Sequence, residues 1–277
     1  MILVTGATGN VGHNLVTALH TAGQPVRALA RHPHTCDLPT GVEVVAGDLT
    51  DPATLCAALR DVQSAFLFPL FGRITPFLDA AHNHQLGNLV MLSSAAVTFG
   101  EPGWIGQQHQ LLEEQVQGSG IPAAFVRPDV FMANDLAWAT TIRSSRTVRL
   151  AYPEAATAPI DERDIAAVAA QALIDKTTGT AYEITGPESL SQADRVRTIA
   201  AVLGHPIDIV ELSPDEASIE LQRTMPAEAV AFLLDTLRGR GDTPARTTDT
   251  VHEVTGCAAH SYRQWAADRR HDLTTNP

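Results

Sequence analysis

Apolar residues change their period along this chain, and each change marks an element. Ile2–Thr5 is a short apolar run that leads into glycine. Asn10–Thr21 follows with Val11, Leu15, Val16 and Leu19 on one helical face, and Gly23 stops it. Pro25–Ala30 reads as the next strand and Val42–Val45 as another, closed by Gly47-Asp48. Thr50/Asp51-Pro52 opens a helix through Arg60, with proline where its missing N–H costs nothing. Ser64–Phe68 is strand-like, Pro76–Gln85 helical, and Asn88–Ser93 a buried strand. Gln107–Gln117 is a helix, and Ala123–Val126 a strand that ends at Arg127-Pro128.

Strands and helices that alternate in this way build a parallel sheet with helices on both faces. Sequential parallel strands need right-handed crossovers, so the expected fold is a doubly wound α/β sheet. Ligands then bind beyond the carboxyl ends of the strands. The second half is less regular. Strands are expected at Thr147–Tyr152, Ala181–Thr185 and Ile207–Leu212, and helices at Glu162–Ile174, Ser191–Leu203, Pro214–Arg223 and Ala227–Arg238. Asp249–Arg270 reads as two helical pieces broken near Gly256. No internal repeat or low-complexity linker divides the chain. The expected organisation is one domain over residues 1–277. Residues 1–150 are expected to form the sheet core, and 151–277 mostly a small α/β lobe, with one strand returning to the core.

Composition narrows the partners. Net charge is −12, which disfavours phosphate backbones, so no nucleic acid is expected. No apolar run approaches the roughly 20 residues that span a bilayer, so no membrane is expected either. Met1 leads directly into Ile2-Leu3-Val4 with no basic or long apolar leader, the pattern of a cytoplasmic protein. Cys36, Cys56 and Cys257 are too scattered for a disulfide framework or a zinc cluster; they read as small semi-buried hydrophobes, and no metal is expected.

Gly6, Gly9 and Gly12 form G-x-x-G-x-x-G between a strand and a helix, with Thr8, Asn10 and Val11 among them. Glycine permits the tight turn and lets backbone approach a pyrophosphate. A helix that starts near Asn10 points free N–H groups and its positive dipole end at that phosphate. An NAD site usually carries an acid at the end of the second strand. Here the stretch is VRALARHP, with Arg31 in that place and His32 beside it. A cation there suits a 2′-phosphate, so NADPH is expected over NADH; the alternative is a solvated surface arginine. Asp48-Leu49 would contact adenine, with Asp48 accepting from the exocyclic amine or capping the following helix.

TGATGNVG, GVEVVAGDLTDPATL, LSSAAV, RPDVFMAND and PIDERDIAAVAAQAL together resemble the atypical short-chain dehydrogenase/reductases. Within them the chain looks most like the NmrA-like and NAD(P)H-binding quinone-reductase types. The resemblance implies a Rossmann core, an NADPH site and a carboxyl-terminal lobe that shapes a substrate pocket. By the same likeness Phe68 and Pro69 flank the cofactor, Ser93 ends a strand near the nicotinamide, and Arg127–Phe131, Pro128 included, cover the nicotinamide side.

Typical members of that superfamily set a Tyr-x-x-x-Lys helix beside a serine, and the tyrosine delivers the proton. The tyrosines here are Tyr152, Tyr182 and Tyr262; none has lysine four residues on, and the one lysine is Lys176. The helix in question reads QQHQLLEEQV, with His109 and Glu113 on one face. His109 could donate a proton near neutrality, with Glu113 raising its pKa; a plain surface pair is the alternative. Ser93 and Ser94 could hydrogen-bond a carbonyl oxygen or simply form a turn. Phe131, Met132 and Trp138 would supply apolar walls or plain core. Asn134, Tyr152 and Asp129 could face substrate, Asp129 with a structural role as the stronger reading, while Asp161 and Asp164 order a helix start. Conjugated or quinonoid substrates need less help from a strong acid than a plain ketone. The expected activity is therefore NADPH-dependent reduction of a small apolar conjugated carbonyl, quinone or related metabolite, by a monomer or homodimer. The alternative is an NmrA-like regulator that senses NADP(H) without turnover.

Overall fold

The computed structural model describes residues 1–241 and 243–275, leaving aside the Thr35 side chain. Its first half runs β1 (Ile2–Val4), α1 (Asn10–Thr21), β2 (Val26–Ala30), β3 (Glu43–Ala46), α2 (Pro52–Ala58), β4 (Ser64–Leu67), α3 (Thr75–Asn83), β5 (Asn88–Leu92), α4 (Gly103–Gly118) and β6 (Ala123–Pro128). The second half adds α5 (Ala139–Ser145), β7 (Thr147–Leu150), β8 (Ala156–Thr157), α6 (Glu162–Ile174), β9 (Ala181–Ile184), β10 (Leu190–Ser191), α7 (Gln192–Leu203), β11 (Asp208–Glu211), α8 (Pro214–Leu221), α9 (Ala227–Arg240), α10 (Thr250–Thr255), α11 (Tyr262–Asp268) and α12 (Arg270–Thr274).

A seven-stranded sheet in the order β3-β2-β1-β4-β5-β6-β9 forms the centre, parallel throughout. This is the doubly wound parallel sheet expected from the strand–helix alternation. Strand residues alternate between two cores. Ile2, Val4, Ala28, Phe66, Val90 and Val126 pack under α1 and α6, while Leu3, Leu29, Leu67, Leu89, Met91 and Phe125 pack under α2, α3 and α4. Each such leucine, valine or phenylalanine stabilises by about 1.5–3 kcal/mol when fully buried. Strand order reverses between β1 and β4, so the crevice beyond their carboxyl ends is the natural ligand site.

β9 joins the sheet beside β6 from the second half of the chain. α6 covers a sheet face beside α1, and α10 packs against α6 and β9. Most of the remaining later elements build a smaller lobe. A third core joins Met132, Ile142 of α5, Leu150 of β7, Ile199 of α7 and Tyr262 and Trp265 of α11. Two small sheets frame it: β11 beside β7 in parallel, and β10 beside β8 antiparallel.

Several elements differ from expectation. α4 begins at Gly103, earlier than the apolar pattern indicates; Gly103 has φ 55° and lies against Phe232 of α9. Met132–Trp138 is 3₁₀-helical and continues into α5, neither of which has a clean apolar period. α12 extends the tail beyond the two expected pieces. Cys56 and Cys257 are exposed, with only Cys36 part-buried, so the thiols do not act as core residues.

Candidate active site

The glycine loop links β1 to α1 beneath the end of β4. Gly6 has φ 62°, and a Cβ there would stand 2.9 Å from the Phe68 Cβ. At Gly12 a Cβ would meet the Gly6 carbonyl oxygen at 2.0 Å, so α1 can close on the loop only with glycine here. Thr5 ties the two strand ends together: its N–H donates to the Phe66 carbonyl at 3.0 Å, and its hydroxyl accepts from the Phe68 N–H at 2.8 Å. Phe68 is half-exposed above the loop and Pro69 is buried behind it.

This loop fits a dinucleotide. No side chain caps α1, and no acid stands in its first turn. By contrast α2, α6, α7, α8 and α11 are all capped by their own Asp or Ser side chains. The first N–H groups of α1 thus keep their capacity for an anion. Exposed Thr8, Gly9 and Asn10 line a cavity of about 450 Å³ with His13, Asn14, Arg163, its partner Asp268, and Arg269, and Val11 is buried beneath.

Arg31 is exposed just past β2. Its charge and that of Arg73 reach Asp48, which places two guanidinium groups around that acid; Arg73, in the loop after β4, was not singled out from sequence. Asp48 itself does not cap the following helix. It accepts from the Thr50 hydroxyl at 2.6 Å and N–H at 2.8 Å, and these bonds hold its carboxyl below the ordinary value. The cap is Asp51, which accepts from the Ala53 N–H at 3.0 Å. Leu49 is buried beside it.

The expected proton donor is in a different state from the one its spacing suggests. Glu113 is buried and gives both carboxylate oxygens to other partners. Arg127 donates through Nε at 2.9 Å and Nη2 at 2.5 Å, and Ser93 Oγ donates at 2.5 Å. This raises the Arg127 pKa and commits the Ser93 proton to Glu113. His109 lies edge-on to Phe71, with centroids 5.1 Å apart, and its Nδ1 is buried without a hydrogen-bond partner. Desolvation pulls its pKa down to about 4, outweighing the pull of Glu113. Expectation and structure therefore point in opposite directions: His109 is neutral at pH 7. The reason is the loop after β4, whose Phe71 covers the ring, an interaction between elements far apart in sequence.

Ser94 forms a turn, accepting from the Ala96 N–H at 3.2 Å. Asp161 caps α6, but Asp164 binds the His260 N–H and ring and so fastens the tail to α6 rather than ordering the helix start. Asp129 accepts from the Ala158 N–H at 3.2 Å and pairs with Arg240 of α9 at 3.4 Å. Of the expected pocket residues, Asn134 and Trp138 line one cavity of about 470 Å³. Phe131 instead bridges to Ile160 and packs on the first core, and Tyr152 packs on Ala151, Leu212 and Ala217. Both lie outside that cavity's wall. A second cavity, about 350 Å³, opens beyond β5, β6 and β9 between Phe99, Asp129, Ile184 and Arg240.

A family model described as NAD(P)H-binding matches residues 6–176. The chain belongs to this NAD(P)H-binding family. A (4-alkanoyl-5-oxo-2,5-dihydrofuran-3-yl)methyl phosphate reductase of Streptomyces griseus is 41% identical over 97% of both chains. An NAD(P)H azoreductase of Xenophilus azovorans is 33% identical over 96% of both. Among solved structures, an NADPH-dependent quinone oxidoreductase of Escherichia coli superimposes with a TM-score of 0.82 at 21% identity, covering 97% of this chain and 99% of that one. The chain is thus an oxidoreductase with an NAD(P)-binding Rossmann fold, as its resemblance to the atypical short-chain dehydrogenase/reductases implies. No helix among the described residues is long and apolar enough to cross a membrane.

Proposed function

We propose that the protein is an NADPH-dependent reductase of a small apolar conjugated carbonyl or quinone. One observation carries this reading: the expected site holds no group on α4 poised to give a proton at neutral pH. Ser93 and Arg127 are bound to Glu113, and His109 is neutral. An ordinary ketone would leave a localised alkoxide that needs such a donor. A conjugated acceptor spreads the charge, and water can protonate it. When bound, NADPH supplies the hydride. The chain's part is to hold and orient: Thr8–Gly12 at the pyrophosphate, Arg31 with Arg73 at the 2′-phosphate, Phe68 and Pro128 beside the nicotinamide, and the neutral His109 as a hydrogen-bonding group. The Streptomyces relative supports the reading, because the compound in its name is itself a conjugated ring carbonyl.

The test is NADPH oxidation by purified protein with menadione, 2-cyclohexenone, an α-acetyl butenolide and, as comparison, cyclohexanone. Turnover with conjugated members and none with cyclohexanone is expected. Tight NADPH binding without turnover on any member would overturn the reading in favour of an NADP(H) sensor. Preference for cyclohexanone would overturn it too.

A further inference from the structure

Two distant segments of the chain share the cavity of about 450 Å³ at the glycine loop. Thr8, Gly9 and Asn10 come from the loop itself, and Arg163, Asp268 and Arg269 from α6 and the tail. The proposed activity gives the first set a role and the second none. The tail is firmly placed. Tyr262 and Trp265 of α11 are buried in the third core, and the His260 N–H donates to Asp164 of α6 at 2.8 Å. The Arg269 N–H donates to the Trp265 carbonyl at 2.9 Å. Arg269 therefore stands at a fixed point, the junction of α11 and α12, on the wall of a cavity it shares with the loop.

The two arginines differ in what their guanidinium groups already hold. Arg163 is committed. It binds both oxygens of Asp161 through Nε and Nη2, at 2.6–3.1 Å, and Asp268 through Nη1 at 2.8 Å. The second bond also neutralises Asp268, the one acid among the cavity's described lining residues. Glu162 lies within electrostatic reach of both arginines, but it is fully buried, and burial raises its carboxyl pKa, which disfavours a negative charge there. The Arg269 guanidinium has one hydrogen-bond partner among the described residues, Asp272, which accepts from Nη1 at 3.3 Å. Its Nε and Nη2 donors remain for another acceptor. The side chain is 35% exposed, so a ligand can reach it. A guanidinium fork matches the spacing of two phosphate oxygens.

We propose that Arg269 is a further dinucleotide-binding residue, which donates to the pyrophosphate of NADP(H) across this cavity, so that the carboxyl-terminal tail completes the cofactor site. The proposal needs the cofactor alone and stands whatever the acceptor is. Arg163 is a positioning residue in this arrangement: through Asp268 it holds the tail against α6 and keeps that acid from repelling the phosphates. Asp272 competes for the Arg269 guanidinium. NADPH and NADH share the pyrophosphate, so Arg269 adds affinity without choosing between them, in contrast to Arg31.

Binding measurements test it without turnover, by calorimetry with NADPH, 2′-phospho-ADP-ribose and 2′-AMP. The second probe lacks the nicotinamide, and the third lacks the pyrophosphate as well. Arg269→Ala should weaken NADPH and 2′-phospho-ADP-ribose by the same factor, about tenfold, and leave 2′-AMP unchanged. Arg269→Lys, which keeps the charge and loses the fork, should recover part of that loss. Asp272→Ala breaks the pair within the tail but keeps the guanidinium, and should bind NADPH at least as tightly as wild type. In the wild type, saturating NADPH should slow amide exchange across α11 and α12. Unchanged NADPH affinity in Arg269→Ala would overturn the proposal. A matching loss in Asp272→Ala would overturn it too, because the arginine would then act only within the tail. So would an equal loss of 2′-AMP, which would move the contact to the 2′-phosphate. Tail amide exchange indifferent to NADPH would overturn it as well, and that result depends on no variant folding.

Discussion

Replacing His109 by phenylalanine isolates the energetic effect of a histidine held neutral under Phe71. In the folded chain desolvation lowers its pKa from 6.5 to about 4. The unfolded chain binds a proton there near pH 6.5; the folded chain does not. Stability contributed by this site is therefore full above pH 6.5 and falls as pH drops towards 4. Integrating the linkage between those values gives a loss of about 1.4 kcal/mol at pH 5.5 and about 2.5 kcal/mol at pH 4.5. Asp135, Glu162 and Asp164, whose pKa values burial raises, titrate in both proteins and cancel in the difference. Urea unfolding of wild type and H109F at pH 7.5, 5.5 and 4.5 gives that difference directly. H109F should gain on wild type by about those amounts as pH falls. Parallel pH profiles would refute the reasoning, as would a measured His109 pKa at or above 6.5.

Three further outcomes follow from the geometry. Gly12→Ala forces a methyl against the Gly6 carbonyl, so calorimetry should show NADPH affinity reduced more than tenfold and stability lowered by about 1–3 kcal/mol. Glu113→Ala strands Arg127, which is 21% exposed, and Ser93, and should cost about 2–4 kcal/mol in urea unfolding. Asp135→Ala leaves the Arg195 charge buried without its partner and should cost about 3–5 kcal/mol; a loss below 1 kcal/mol would show that the pair is not formed.

The sheet was legible because its signal is local. β1, β4, β5 and α1 each carry their period within a dozen residues, and Gly6 and Gly12 mark a backbone approach that few other residues permit. The position of Arg31 just past β2 was legible for the same reason. The α4 chemistry was not. The His109–Glu113 spacing is real, but Glu113 is claimed by Ser93 on β5 and Arg127 on β6, and His109 by Phe71. No helical periodicity encodes partners from three other segments. The cavity lined by Asn134 and Trp138 failed to show for a related reason. Its wall comes from β7, α8 and α9 and its polar atoms from Thr157 and Arg195, each unremarkable within its own element. Asn134 and Trp138, close behind the β6 motif, line that cavity, while Phe131 packs on the first core and Tyr152, after β7, packs beside Ala151 and Leu212.

The proposed activity pairs an NADPH site with a conjugated acceptor. Steady-state kcat/KM for NADPH and for NADH, with the best conjugated acceptor at saturation, tests both halves together. A charge-assisted bond from Arg31 to the 2′-phosphate is worth about 1.5–3 kcal/mol, so NADPH should be preferred by at least tenfold, and Arg31→Ala should remove most of that preference. Equal use of the two nucleotides by the wild type, or no oxidation of either with any conjugated acceptor, would contradict it.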